Sequence, residues 1–158
     1  MWLPVWWISF SSASEMVRLK PLALICWLAL LCGWMGGERA EVVIVVAAGC
    51  PVNHLTSEQV AKIYLGKMTV FPGGGEAIPL DQKDDSPARS EFYRKVVKKS
   101  PAQLSAYWAR LIFAGDGQPP QQMEGDLAIR KAVAGSVKAI GYIERNEVDR
   151  SVKIILVP

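Results

Sequence analysis

The sequence predicts one α/β domain with a mainly parallel sheet flanked by helices. Two observations carry this prediction. Short apolar runs rich in β-branched residues alternate along the chain with segments of helical period, and helix-start signals follow the first two runs. The alternation extends from residue 41 to residue 157, so residues 41–158 form the predicted domain and residues 1–40 a separate leader. A chain of this length is enough for one small core and too short for a second.

The leader has a different composition, since five of the six tryptophans lie in it. From Met16 onward, Arg18 and Lys20 precede the apolar run Pro21–Cys32, which ends among glycines. This is the layout of a secretory signal peptide, so we expect residues 16–40 to direct export to the periplasm and residues 1–15 to be a mis-assigned start. The run is shorter than a membrane-spanning helix requires, and an uncleaved leader that anchors the protein is the alternative.

Charge and cysteine usage exclude several classes of protein. The formal net charge is +3 with charges of both signs interspersed, so there is no polybasic stripe for nucleic acid. Removal of the leader leaves Cys50 as the only cysteine, which excludes an intramolecular disulfide. Cys50 and the single histidine, His54, are too few to make a zinc site or an oriented nucleophile. The sequence also has no glycine-rich nucleotide loop, and we expect no enzymatic activity, metal or cofactor.

The first elements of the domain are a buried strand and a helix. Residues 41–48 form a continuous apolar run of the kind found in strands buried on both faces. Thr56 and Gln59 have the spacing of a capping box, and the residues after them share one apolar face until Gly66 ends the helix.

The middle of the chain contains a second strand and a second helix start. Residues 77–80 read as a short strand, and residues 81–85 as a polar loop. Ser86 is the predicted N-cap and Pro87 the first helical residue.

A third helix begins at Ser100 and Pro101. Its apolar residues fall at the spacing of a buried stripe: Leu104, Tyr107, Trp108, Leu111 and Ile112. Residues 114–120 are a loop, residues 126–134 a weaker helix, and residues 139–143 and 152–157 strands.

The loop before Pro87 is the candidate binding site. The first turn of a helix presents unpaired N–H groups and a partial positive charge, which suit an anion. Ser86 adds a hydroxyl donor and Arg89 a planar fork of donors. Asp84 and Asp85 oppose an anion unless one of them accepts a proton from a protonated phosphate. The alternative is that Ser86 only caps the helix and Arg89 is solvated.

A second helix start, at Thr56, follows the first strand. In an open parallel sheet both helix starts converge at the carboxyl ends of the strands, where ligands usually bind. Gly49 and Thr56 are therefore second-rank candidates, with turn geometry and capping as the alternative explanation.

Taken in order, five segments resemble the substrate-binding proteins of phosphate ABC transporters. They are LTSEQVAKIYLGK at 55–67, IPLD at 78–81, Asp85 and Ser86 with Arg89 and Phe92, YWARLIF at 107–113, and AIGYI at 139–143. The resemblance implies one lobe of a type II periplasmic-binding fold. It also implies a non-enzymatic, exported protein that delivers phosphate or a related oxyanion to a membrane transporter.

The chain departs from this family in two ways. It resembles only the second of the family's two lobes, and one lobe cannot enclose a ligand by hinge closure. Gln82 and Lys83, which are second-rank candidates for ligand binding, stand where the family's phosphate loop has arginine and an acidic residue. Among the positions of that loop, the acid, Ser86 and Arg89 are kept. The alternative function is an interaction module that has lost its ligand and docks on an envelope partner or on itself as a homodimer.

Overall fold

The computed structural model describes residues 41–158, and the predicted leader, signal peptide and start at Met16 lie outside the described residues. The elements, in order, are β1 (Val42–Ala47), α1 (Ser57–Tyr64), β2 (Ile78–Gln82), α2 (Pro87–Phe92), a π-helical segment (Tyr93–Val97) that continues α2, α3 (Pro101–Ala114), β3 (Gln121–Met123), α4 (Gly125–Ala134), β4 (Ala139–Glu144), a 3-10 turn (Arg145–Glu147) and β5 (Val152–Leu156). None of the helices in these residues is long and apolar enough to cross a bilayer.

The five strands form one sheet in the order β3-β2-β4-β1-β5. β2 is parallel to both β3 and β4, whereas β1 is antiparallel to both β4 and β5. The predicted α/β fold with helices on the sheet is therefore confirmed, and four of the five strands point the same way. One correction is needed, because β1 runs against its neighbours and the sheet is mixed. An apolar run reports burial on both faces of a sheet and carries no information about direction.

Both faces of the sheet are covered by helices. Alternate residues of β1 point to opposite faces, so Ile44 packs with residues of α1, α2 and the π-helical segment, and Val45 packs with α4. All six residues of β1 are buried. Full burial of each such aliphatic side chain stabilises the fold by about 1.5–3 kcal/mol, so this strand is the centre of the core.

The predicted helix starts are confirmed in atomic detail. Thr56 Oγ1 accepts from Gln59 N at 3.2 Å, and Gln59 Oε1 accepts from Thr56 N at 2.8 Å. Ser100 and Gln103 form the same reciprocal capping box at the start of α3. Gly66, at φ 68°, follows the end of α1 as predicted.

The predicted buried stripe of α3 is correct except for its last residue, since Tyr107 and Leu111 also pack against the core. Leu104 and Trp108 are buried, but Ile112 is 55% exposed and Phe113 is 93% exposed. Helical spacing identifies the apolar face of a helix but not how far its neighbours extend along it. The prediction that Ile112 is buried is therefore wrong.

The second strand is longer than the sequence predicts. Asp81 and Gln82, assigned to a polar loop, are the last residues of β2 and are each only 2% exposed. Polarity was the signal for the loop, but both side chains are hydrogen-bonded inside the fold. The three residues of β3, two of them glutamines, were not predicted as a strand at all.

Candidate functional site

A cleft lies where the three parallel strands end. β2, β3 and β4 point the same way, so the residues that follow Gln82, Met123 and Glu144 meet at one edge of the sheet. A cavity of about 380 Å³ occupies this edge, and ten residues line it: Gln82, Lys83, Asp85, Ser86, Pro87, Ala88, Glu124, Gly125, Asp126 and Glu144. The starts of α2 and α4 both face it. This is the position at which open α/β sheets bind ligands.

Ser86, the N-cap of α2, forms most of the hydrogen bonds of the loop at this cleft. Its Oγ accepts from Arg89 N at 3.2 Å, which is the predicted N-cap, and donates to Gln82 Oε1 at 2.6 Å. Its carbonyl accepts from Ser90 N at 3.1 Å, and Pro87 has no N–H. Within residues 41–158, Ala88 therefore supplies the one amide in the first turn of α2 that has neither a backbone nor a side-chain acceptor.

Behind the loop, Asp81 is a buried carboxylate surrounded by donors. Tyr93 Oη donates to Asp81 Oδ2 at 2.9 Å, and Tyr142 Oη donates to Oδ1. Gln82 N also donates to Oδ1, at 2.9 Å, and Arg89 Nε lies 3.2 Å from Oδ2. Four donors thus compensate a charge that would otherwise be expensive to bury.

Arg89 is held between two carboxylates. Besides Asp81, its Nη1 lies 3.1 Å from Asp84 Oδ1, and its side chain is only 13% exposed. Burial alone would lower the pKa of Arg89, but the negative charges of Asp81 and Asp84 raise it above its ordinary value. The guanidinium is therefore a permanent cation whose charge is already balanced within the fold.

The tyrosines around Asp81 form an aromatic cluster with Phe92. The rings of Phe92 and Tyr142 stack with centroids 4.2 Å apart, and Tyr64 lies against both. Burial, followed by the nearby charge of Asp81, raises the pKa of the Tyr64, Tyr93 and Tyr142 phenols far above the ordinary value. These phenols stay neutral and serve as hydrogen-bond donors.

The cleft itself is rich in acid. Asp85, Glu124, Asp126 and Glu144 line it, against the single cation Lys83. Lys83 Nζ lies 2.7 Å from Glu124 Oε1, and the hydrogen bond and charge of Lys83 lower the pKa of Glu124. Asp126 Oδ1 accepts from Gln82 Nε2 at 2.6 Å, so one of these acids is engaged with the loop.

The predicted site residues are brought together only in part. Gln82, Lys83, Asp85 and Ser86 line the cleft, whereas Asp84 and Arg89 line neighbouring cavities on the other side of α2. The side chains of Ser86 and Arg89 thus face different cavities, although they are close in the chain.

The second-rank candidates lie elsewhere. Because β1 is antiparallel, its end, which Gly49 follows, lies beside the start of β4, at the opposite end of the strands from the cleft. Leu55 N, next to Thr56, donates to Ile155 O on β5, which is separated from β2 by two strands. At ordinary strand spacing that is about 14 Å. The two helix starts therefore do not converge as expected, because β4 and β1 lie between them.

Several residues of this region were not predicted from the sequence, and four of them form the hydrogen bonds behind and beside the loop: Asp81, Tyr93, Asp126 and Tyr142. One signal was available for Asp81, because no turn residue separates it from the apolar strand. Tyr93 is four residues after Arg89, which places both on one helix face. The remaining two depend on contacts between distant segments. Cys50 is a buried free thiol, and within residues 41–158 no cluster of acidic, histidine and cysteine side chains could hold a metal ion.

Several solved structures have a fold similar to that of this chain. A protein from Clostridium perfringens assigned as a phosphate ABC transporter substrate-binding protein, with bound phosphate, is 27% identical with a TM-score of 0.59; the match covers 73% of this chain and 44% of that one. An ABC-type phosphate transport receptor from Vibrio cholerae is 24% identical with a TM-score of 0.60, covering 73% and 45%. PstS from Borrelia burgdorferi is 13% identical with a TM-score of 0.55, covering 73% and 46%.

These comparisons confirm the resemblance that the sequence motifs indicate and the periplasmic-binding fold that it implies. The chain spans less than half of the length of each of these structures. No protein-family model matches the sequence, and no curated protein is significantly similar to it.

Proposed function

We propose that this chain is an exported, non-enzymatic solute-binding protein that takes phosphate or a related oxyanion at the cleft and passes it to an ABC-type membrane transporter. The observation that carries the proposal is the placement of Ser86 and the start of α2 at the ends of three parallel strands. The solved structures of the same fold are phosphate transport proteins, and one of them holds phosphate. Their role in phosphate transport supports the same assignment for this chain.

In this proposal the anion is bound by three kinds of donor. The Ser86 hydroxyl turns from Gln82 to the ligand, the Ala88 N–H donates from the first turn of α2, and Lys83 leaves Glu124 to supply charge. Asp85 accepts the proton of a protonated phosphate, which would favour phosphate over fully ionised sulfate. Arg89 supports the loop from behind through Asp84 and Asp81.

Titration calorimetry of the full chain with phosphate and with sulfate tests the proposal. We expect saturable phosphate binding that weakens by about tenfold in Ser86→Ala, the loss of one hydrogen bond to a charged group. Ser105→Ala, an exposed serine on α3, is the matched control and should bind as the wild type does. Absence of heat with both anions would overturn the proposal, and unchanged binding in Ser86→Ala would overturn the site.

The same geometry gives one rival function, an interaction module without a small ligand. Ser86 and Arg89 already have internal partners, and the cleft carries four acids against one lysine. The exposed apolar side chains Ile112 and Phe113 on α3 would suit contact with a second copy or an envelope partner. A stable dimer in sedimentation, dispersed by Phe113→Ser and indifferent to phosphate, would favour this function.

A further inference from the structure

A second cavity lies on the side of α2 that faces away from the cleft. It has a volume of about 510 Å³ and lies between the α2–π helical unit and the first turn of α3. A neighbouring cavity of about 610 Å³ shares Asp84, Arg89, Pro101 and Leu104 with it, so the two form one continuous groove along α3. Cavities of this size accommodate small organic ligands.

The groove is basic, in contrast to the cleft. Arg89, Arg94, Lys98 and Lys99 line its first cavity, and Asp84 is the only acid there. Arg89 is balanced by Asp81 and Asp84, but within residues 41–158 Arg94, Lys98 and Lys99 form no ion pair. Lys99 Nζ instead lies 5.8 Å from the centre of the Tyr107 ring. Three cations thus have no acidic partner at the mouth of a concave surface.

The floor of the groove is apolar. Tyr93, Pro101 and Leu104 line it, together with the aliphatic stems of the basic side chains. A simple inorganic anion would satisfy the cations but would leave this floor in contact with water. A ligand with an anionic head and an apolar body would satisfy both.

The two lysines are placed by a tight turn. Lys98 has φ 56°, ψ 43°, the left-handed conformation, and ends the π-helical segment two residues before the N-cap of α3. Glycine is the favoured residue in that conformation, and lysine is disfavoured there. A change of Lys98 to glycine therefore removes its charge without a cost to the backbone.

We infer that this groove is a second ligand site, separate from the cleft, for a phosphate monoester that carries an aromatic or aliphatic group. Arg94, Lys98 and Lys99 bind the phosphate, and Tyr93 with Leu104 contacts the apolar group. The inference does not depend on oxyanion binding at Ser86.

Titration calorimetry of the full chain with phenyl phosphate tests the inference. We expect phenyl phosphate to bind more tightly than phenol, which lacks the charge. The variant Lys98→Gly/Arg94→Gln should weaken the binding by about tenfold or more, because it removes two of the three charge-assisted contacts. Lys67→Gln, an exposed lysine outside the groove, is the matched control.

The outcomes separate this site from the cleft. Phenyl phosphate binding that Ser86→Ala abolishes and Lys98→Gly/Arg94→Gln leaves intact would overturn the inference, as would no binding at all. If the variant Lys98→Gly/Arg94→Gln still binds inorganic phosphate as the wild type does, the cleft and the groove are separate sites. Binding to vesicles that contain phosphatidic acid distinguishes a lipid headgroup from a free ester. If the ligand is a lipid headgroup, the protein binds these vesicles and Lys98→Gly weakens that binding; if the ligand is a free ester, Lys98→Gly does not change vesicle binding.

Discussion

Arg89 Nε lies 3.2 Å from Asp81 Oδ2, and the two side chains are only 13% and 3% exposed. This pair joins α2 to the end of β2 immediately behind the candidate loop. Two tyrosine hydroxyls complete the shell of Asp81. The attraction within a buried ion pair adds little net stability, because both charges lose their hydration. Removal of one partner is nevertheless costly, because the other charge stays buried without full compensation.

Removal of the Asp81 carboxylate should therefore be strongly destabilising. We expect Asp81→Ala to lower the free energy of unfolding by about 3–5 kcal/mol, since it removes the buried partner of Arg89 and leaves the hydroxyls of Tyr93 and Tyr142 without their acceptor. Urea unfolding followed by circular dichroism measures the change. Asp84→Ala removes the exposed partner of the same arginine and should cost no more than about 1 kcal/mol. Equal losses in the two variants would contradict this account of the network.

Asp84 should have a different effect on binding. Its carboxylate contacts Arg89 Nη1 at 3.1 Å and brings negative charge to the loop. We expect Asp84→Asn to tighten phosphate binding by about threefold, the effect of one nearby solvent-exposed charge. Asp116→Asn, in the loop after α3, is the control for net charge. Weaker binding in Asp84→Asn would instead identify Asp84 as the acceptor of the ligand's proton.

Gly141 of β4 packs closely against α4. A Cβ atom there would lie 2.5 Å from Ile129 Cγ2 and 2.9 Å from Val133 Cγ2. Gly141→Ala should cost about 1–3 kcal/mol in unfolding free energy, because the helix must move away from the sheet. Gly49→Ala is the matched control, since its Cβ would meet nothing within 4 Å. A loss of the same size in both variants would refute this explanation.

The stability of the fold should fall in alkali. Burial, aided by the charge of Asp81, raises the pKa of Tyr93 and Tyr142 far above 10. Below pH about 10 these phenols are protonated in both states, and above it only the unfolded chain releases their protons. Each phenol should therefore lower the unfolding free energy by about 1.4 kcal/mol per pH unit above pH 10.

Urea unfolding at several pH values between about 10 and 12 measures this slope for the wild type and for Tyr93→Phe. The variant keeps every other titrating group, so the difference between the two slopes isolates one phenol. We expect the variant's slope to be smaller by about 1.4 kcal/mol per pH unit. Parallel slopes would show that Tyr93 ionises as readily in the folded protein as in the unfolded one.

The sequence correctly predicts those features that depend on contacts between residues close in the chain. The N-caps at Thr56, Ser86 and Ser100 are each made by a side chain and an amide three residues away, so the sequence alone locates them. The burial of β1 was likewise predictable from its composition. The same composition could not reveal its direction, which depends on β4 and β5, about 100 residues away.

The sequence predicts the loop of the candidate site but not the buried hydrogen bonds behind that loop. Ser86 and its loop follow from cap and proline signals, but the partners of Arg89 do not. The burial of Asp81 depends on donors from other segments, among them Tyr142 from β4 and Tyr93 from the helix after the loop. A single sequence does not show which distant residues are in contact. Asp81 was therefore assigned to a loop, and Arg89 was expected to bind a ligand or to face solvent.

The position of β1 between β4 and β5 also sets an order for assembly. The strand at the centre of the core is the first to be made, yet both of its neighbours come from the last strands of the described chain. Until those arrive, six consecutive apolar residues have unpaired backbone groups, and the loop that must close is long. A nascent chain therefore exposes this apolar strand until β4 and β5 have been made, and a chaperone that binds unpaired apolar strands would have β1 as a target within residues 41–158.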